Sequence, residues 1–277
     1  MSLIKPIVHC EWDPGIFDFE IPVEIFNDGF FIYYTDSNTM KILWLLEPRE
    51  ILPGPSAHAL ANYAQYDYVL TWDQNILDSI PNAVYFRSNI TWVLDYDVDT
   101  QKHFGVSNVA GAKRQTIGHR LRHELWARRN EITIPKTFFA SLHGSPDGLN
   151  HELVLGDSKL PLFDSQFHIV IENVSSCNMI SEKLHDACRT KTVPIYWGCP
   201  NVEDTYDPRG ILMCDSVDDI INTCNNLTPE TYQSMLPYIE DNYQRVIKLI
   251  RPDRRSKISE TITNLINIKK EDGTNIQ

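Results

Sequence analysis

Two α/β domains built on parallel sheets are what this sequence predicts, and three observations point there. Short apolar, β-branched runs alternate with stretches of helical spacing, from KILWLLE and YDYVLTWD early on to FHIVIE and TVPIYW later. The chain has 277 residues, more than one ordinary domain takes. An acidic stretch without apolar periodicity, Leu94 to Gln101, interrupts the pattern about a third of the way along. The expected division is residues 1–100, residues 101–250 and a charged tail, 251–277.

The elements follow in order. PIVHCEW suits a first strand, with Pro14, Gly15, Asn27, Asp28 and Gly29 as turn signals, and FFIYYT is aromatic and β-prone. KILWLLE reads as a buried strand ending in a carboxylate, Glu47. SAHALANYAQ places Ala59, Leu60, Tyr63 and Ala64 on one helical face. YDYVLTWD is the next strand and again ends in a carboxylate, Asp73. Past the acidic stretch, HFGVSNVAG starts a strand and GHRLRHELWARRNEI a helix with Leu121, Leu125 and Trp126 inward. KTFFASLHG is a strand and turn, and PDGLNHELVLGDSKLPLFDSQ is loop with some helix.

Phe167 to Pro200 is the most organised stretch. FHIVIE is a strand and ENVSSCNM a polar loop; Ser181 caps the helix SEKLHDACRT, and TVPIYW is the second strand of a βαβ unit. ILMC is a further strand and DSVDDIINTCNNL an acidic-capped helix. PETYQSMLPYIEDNYQRVIKLI is one helix, or two interrupted at Pro237. SKISETITNLINIKK is weakly amphipathic and either packs back on the first domain or frays.

Composition excludes some function classes. Hydrophobic content of 42% and charged content of 22% are ordinary for a soluble globular protein. The net charge of -12 argues against a nonspecific nucleic-acid binder. No apolar run has the length of a membrane span. None of the six cysteines forms a C-x-x-C pair, so reduced thiols and a cytoplasmic setting are expected.

Open α/β sheets bind ligands beyond the C-terminal ends of their strands. Glu47 and Asp73 sit there, suited either to general-base work or to a solvated strand end or cap. Glu172 and Asn173 begin the loop after FHIVI. Glu182 and Lys183 fall in the first helical turn, where unpaired N–H groups and the helix dipole favour a phosphate. An arginine of the basic segment around Lys113, Arg114, Arg120, Arg122, Arg128 and Arg129 can clamp a diphosphate bidentately. Asp97 and Asp99 have the spacing of a metal-binding Asp-x-Asp but lie in the expected linker.

IEN, SEKLHDA and VPIYWGCPNVEDTYDP, in that order and almost without gaps, resemble the donor-binding signature of the α-1,3-fucosyltransferases (glycosyltransferase family 10) in its bacterial form. The likeness is strong from Phe167 to Asp207 and thinner but collinear from Met40 to Ile132. It implies a GT-B fold, two Rossmann-like domains facing across a cleft. It also implies an inverting transfer of fucose from GDP-fucose to a hydroxyl of a saccharide acceptor. No metal cofactor, nucleic acid or membrane span is required. The family's general base falls on Glu47, with Asp73 in reserve. Its phosphate-contacting arginine falls on Arg122, with Arg120 as the alternative. The resemblance assigns Glu182 to the donor sugar at the reacting centre and Asn173 to the donor; Lys183, with the helix dipole behind it, is placed to stabilise the departing diphosphate, and Glu172 is expected to order the loop. The sequence departs at Met179, where the bacterial enzymes carry a tyrosine near the donor, and at Ser181, where threonine is usual. Two other readings stay open: a transferase using another sugar nucleotide, and a non-catalytic glycan- or nucleotide-binding homologue.

Overall fold

The structure, a computed structural model, describes residues 3–11, 16–31, 38–93, 102–250 and 254–271. Pro14, Gly15, residues 32–35 of the FFIYYT run and the expected linker with Asp97 and Asp99 lie outside the described residues. The chain divides into two compact units, Met1–Ser88 with Arg251–Gln277, and Asn89–Ile250.

The first unit holds a five-stranded parallel sheet in sequential order: β1 (Ile7–His9), β2 (Val23–Asn27), β3 (Met40–Trp44), β4 (Tyr68–Thr71) and β5 (Ala83–Tyr85). A sequentially wound parallel sheet carries its crossover helices on one face. Here those are α1 (Pro53–Asn62) and α2 (Gln74–Ser79), and Ala59 and Ile76 pack on Phe26, Leu43, Leu45 and Val69. The opposite face carries Ile25, Ile42, Trp44 and Leu70, which would be left in water. The C-terminal helix, Arg254–Glu271, covers it and sets Ile258, Ile262, Leu265 and Ile266 against these side chains. Their spacing of four, three and one is a single helical stripe. This explains why every residue of β3 is buried, including Lys41.

The second unit is a six-stranded parallel sheet. Its strands are β6 (His103–Ala110), β7 (Lys136–Ser141), β8 (Val154–Leu155), β9 (Ser165–Ile171), β10 (Val193–Trp197) and β11 (Leu212–Met213), in the order β11-β10-β9-β6-β7-β8. The chain builds outward from β6 to β8, returns beside β6 at β9, and builds outward again. The winding therefore reverses between β6 and β9, a topological switch point. Helix α3 (Ile117–Arg128) follows β6 and α4 (Glu182–Arg189) follows β9. Alternate residues of β9 face opposite ways: Phe167, Ile169 and Ile171 pack with Leu125 of α3, whereas Val170 packs with Leu184 of α4. The two helices thus cover opposite faces of the sheet.

Helix α5 (Val217–Asn225) starts at the N-cap Ser216, and α6 runs unbroken from Pro229 to Leu249. Pro237 lies within α6, on its exposed side, while Tyr232, Met235 and Ile239 hold the other side in the core. The hydrogen bond that proline removes is lost where water can replace it, so packing outweighs the break. The tail helix, Arg254–Glu271, is numbered α7. None of the six cysteines is in a disulfide, and among the described residues no helix is long and apolar enough to cross a membrane.

Candidate functional site

The site of the second unit is assembled where β9 ends, at the switch point. Glu172 is the first residue past β9 and is fully buried; its N–H donates to Trp197 O at 2.9 Å. Its carboxylate is spent on the cap of α4. Oε1 accepts from Ser181 N at 2.9 Å and Oε2 from Ser181 Oγ at 2.6 Å. Ser181 Oγ in turn accepts from Lys183 N at 3.2 Å, closing the helix start. Burial pushes the Glu172 carboxyl above its ordinary range, against the pull of Lys183 and the Ser181 donors. Glu172 thus orders the loop and the helix start.

Lys183 Nζ lies 3.1 Å from Glu182 Oε1, 3.2 Å from Ser181 Oγ and 3.8 Å from Glu172 Oε2. Burial works against its charge, but the Glu182 and Glu172 carboxylates prevail and hold Lys183 above the usual lysine range. For Glu182, burial alone would raise the carboxyl; Lys183 and Lys159 overcome it and bring it down to about 2. At neutral pH this is an ionised pair at the N-terminus of α4.

Arg122 reaches the same place from α3. Its Nη2 donates to Asn173 Oδ1 at 2.6 Å and its Nε to Gly118 O at 3.2 Å. Burial lowers its pKa, and Glu172 and Glu182 offset part of that, so the guanidinium stays charged. Arg120, two residues earlier, is exposed. On a helix two positions apart means opposite directions. The start of α3 is fixed by a reciprocal cap between Thr116 and His119. It is pressed against the β9 loop at Gly118, whose N–H donates to Asn173 O at 3.1 Å. A Cβ on Gly118 would lie 1.7 Å from Glu172 O, so only glycine lets the helix come this close. Gly198 serves the same end on the other side, where a Cβ would meet Glu172 Cγ at 2.6 Å.

A third cation, Lys159, comes from the irregular segment before β9. Its Nζ is 3.6 Å from Glu182 Oε1 and sits over the Trp92 ring, 5.4 Å from its centroid. Nothing in the local sequence marks it, because it belongs to no periodic element. A cavity of about 70 Å³ has Arg122, Lys159, Lys183, Asn108, His168 and Asp186 in its wall. Asn108 Oδ1 and Asp186 Oδ2 are buried there without a hydrogen-bond partner among the described residues. The other oxygen of Asp186 accepts from Thr91 Oγ1 at 2.5 Å and Trp92 N at 2.9 Å, tying residues 91–92 to α4. Burial raises the Asp186 carboxyl to about 6. Met179 is buried at 8% exposure in the loop before α4. That loop is pinned through Asn178, at φ 66°, by hydrogen bonds of 2.8 and 3.0 Å to Asn201.

The structure therefore brings Arg122, Glu172, Asn173, Glu182 and Lys183 together and adds Lys159. Three cations around one cavity, beside a helix N-terminus, are suited to an anionic, phosphate-bearing ligand.

No protein-family model matches the chain. The α-(1,3)-fucosyltransferase FucT of Helicobacter pylori is 34% identical over 47 residues, a match spanning 17% of this chain and 10% of that protein. A crystal structure of an α1,3-fucosyltransferase with GDP-fucose superposes with a TM-score of 0.51 at 15% identity, covering 88% of this chain and 80% of that one. The structure of TarM superposes with a TM-score of 0.59 at 10% identity, over 89% of this chain and 55% of that one. The fold is GT-B. In a segment of its sequence, as in its fold, the chain is similar to the α-1,3-fucosyltransferases.

The two carboxylates of the first unit are placed differently within this GT-B chain. β3 ends at Trp44, and Glu47 lies three residues further on, exposed, in the loop that precedes α1. β4 ends at Thr71, and Asp73 follows as the N-cap of α2, accepting from Asn75 N at 2.9 Å. Asp73 also pairs with Arg49 at 2.6 Å. Both its oxygens are thereby engaged. Sequence reasoning overlooked one neighbour of Glu47. Asp28, at the end of β2, is buried, and its Oδ1 accepts from Leu46 N at 2.8 Å and Glu47 N at 3.3 Å.

Proposed function

We propose that this chain is an inverting glycosyltransferase that moves fucose from GDP-fucose to a hydroxyl of a saccharide acceptor. The observation that carries the donor half is the convergence of Arg122, Lys159 and Lys183 at the switch point of the second unit. Breaking the bond between the anomeric carbon and the diphosphate leaves negative charge on the nucleotide. Fixed cations aimed at that charge stabilise the transition state without reorganising. Arg122 offers a planar fork to the phosphate oxygens, and Lys183 and Lys159 offer point charges. Glu182, ionised between the two lysines, holds them in place and faces the donor sugar, where negative charge favours an oxocarbenium-like centre. Asn173 orients Arg122 and contacts the donor.

Glu47 is assigned the base on the family resemblance. It takes the proton of the acceptor hydroxyl as that oxygen attacks the anomeric carbon and GDP leaves, a single displacement with inversion. Asp73, capped and paired with Arg49, is the weaker choice. Buried Met179, where the bacterial fucosyltransferases carry tyrosine, favours as a second reading a related scaffold that takes another sugar nucleotide.

The test is release of GDP from GDP-fucose in the presence of a panel of saccharide acceptors, with GDP-mannose and UDP-glucose in parallel. Glu47→Gln is expected to lower kcat by about 10²- to 10⁴-fold with KM for the donor unchanged. Turnover of the UDP-sugar alone would overturn the donor assignment. Full activity of Glu47→Gln would remove Glu47 from the chemistry.

A further inference from the structure

We infer that Asp28 is a positioning residue for Glu47, fixing the loop that carries it; this rests on the reading of Glu47 as the base. The geometry is that of a clamp on one short segment. Asp28 N donates to Trp44 O at 3.0 Å, which sets Asp28 beside the end of β3. Its Oδ1 then accepts from two successive amides beyond that strand, Leu46 N at 2.8 Å and Glu47 N at 3.3 Å. From the other side, Trp72 Nε1 donates to Leu46 O at 2.9 Å. The peptide leading into Glu47 is thus held at both its N–H and its C=O. These bonds hold a peptide that lies beyond the last ladder residue of β3, Trp44.

Two features show that the chain tolerates a penalty at Asp28. Its φ is 43°, the left-handed region that a non-glycine residue enters at some expense. Its carboxylate is also buried, at 8% exposure. Burial raises it to about 6, the Leu46 and Glu47 amides pull it down, the Glu47 charge raises it and Asn27 Nδ2 lowers it. Glycine at 28 would relieve the backbone, and a neutral amide would relieve the burial. The sequence has neither, and what the carboxylate supplies in return is the hold on residues 46 and 47.

The charge gives the clamp a pH dependence with a definite sign. Above about 6 Asp28 is ionised and accepts strongly from both amides; below that pH it gains a proton and the hold weakens. Asp28→Asn keeps a neutral acceptor oxygen and tolerates positive φ, so it imitates the protonated form. Asp28→Gly keeps the backbone and removes the acceptor.

The experiment joins amide hydrogen exchange to kinetics with GDP-fucose. In Asp28→Gly the Leu46 and Glu47 amides are expected to exchange at least about tenfold faster, with the β2 and β3 amides unchanged. kcat is expected to fall about 10- to 100-fold at constant KM for GDP-fucose. Asp28→Asn recovers part of kcat, and the ratio of wild-type to Asp28→Asn rates falls toward one as pH drops through 6. In a Glu47→Gln background Asp28→Gly has no further effect on rate. Unchanged exchange at Leu46 and Glu47 overturns the clamp whatever Glu47 does. Faster exchange with wild-type kcat, when Glu47→Gln is inactive, overturns the positioning role. An active Glu47→Gln overturns the base assignment itself and the catalytic role of Asp28 with it.

Discussion

Arg122→Ala is expected to weaken GDP binding by about 2–5 kcal/mol, at least ~30-fold, which is what truncating one partner of a buried, hydrogen-bonded charge contact removes. Three losses combine. The guanidinium is the one planar, bidentate donor among the three cations. Its removal leaves Asn173 Oδ1 without the 2.6 Å bond that orients it. It also removes a positive charge that faces Glu172 and Glu182. Arg122→Lys is expected to recover little, because a point charge cannot make the forked contact. Arg120→Ala, on the exposed side of the same helix, is the control and should bind GDP as the wild type does. Titration calorimetry with GDP checks all three. Wild-type affinity in Arg122→Ala would take the arginine out of the donor site.

Gly118→Ala carries the second large effect. The new Cβ would fall 1.7 Å from Glu172 O, 2.8 Å from Glu172 C and 2.9 Å from Asn173 O. These are backbone atoms of the loop that ends β9, so no side chain can turn away to make room. Either α3 backs off and carries Arg122 with it, or the Glu172–Asn173 loop shifts and disturbs the α4 cap. Overpacking of this kind costs about 1–3 kcal/mol or more. In a chain of this size that lowers Tm by roughly 2–4 °C per kcal/mol. The signature is a Tm lowered by about 5 °C or more together with lost GDP affinity. Gly156→Ala, where a Cβ meets nothing within 4 Å, should alter neither. A Gly118→Ala protein with native Tm and GDP affinity would contradict the packing described here.

Much of this site was legible because it is local. The strand FHIVIE, the cap Ser181 and the helix behind it follow from short-range chemistry, and β9, its loop and α4 stand where the pattern puts them. Arg122 and Arg120 were separable in principle by helical spacing; in the structure Arg122 is half-buried and bonded to Asn173, whereas Arg120 is exposed. Lys159 was not legible, since an aperiodic segment gives no register and its partners Glu182 and Trp92 are distant in sequence. Asp28 was hidden for a related reason. Asn27, Asp28 and Gly29 read as a turn, and a turn signal says nothing about which amides its carboxylate will meet. β2 was missed because VEIFN alternates poorly and its last residue, Asn27, reads as part of the turn that follows. Pro237 marks a break by local rules, yet α6 continues through it because the opposite side of the helix is buried. The tail illustrates the same limit. Its stripe of Ile258, Ile262, Leu265 and Ile266 is weak until the uncovered face of the first sheet gives it a place to pack.

In the proposed function, Arg122, Lys159 and Lys183 form a site for a guanosine diphosphate that needs no metal to hold it. Thermal unfolding with GDP, in EDTA and in manganese, tests it most directly, with UDP alongside. Ligand at about 100 times its Kd stabilises the native state by ~2.7 kcal/mol. The expected result is a rise in Tm with GDP that is the same in EDTA, is absent with UDP, and is lost in Lys183→Ala and Arg122→Ala. A rise that requires manganese, that UDP gives equally, or that survives both substitutions would contradict it.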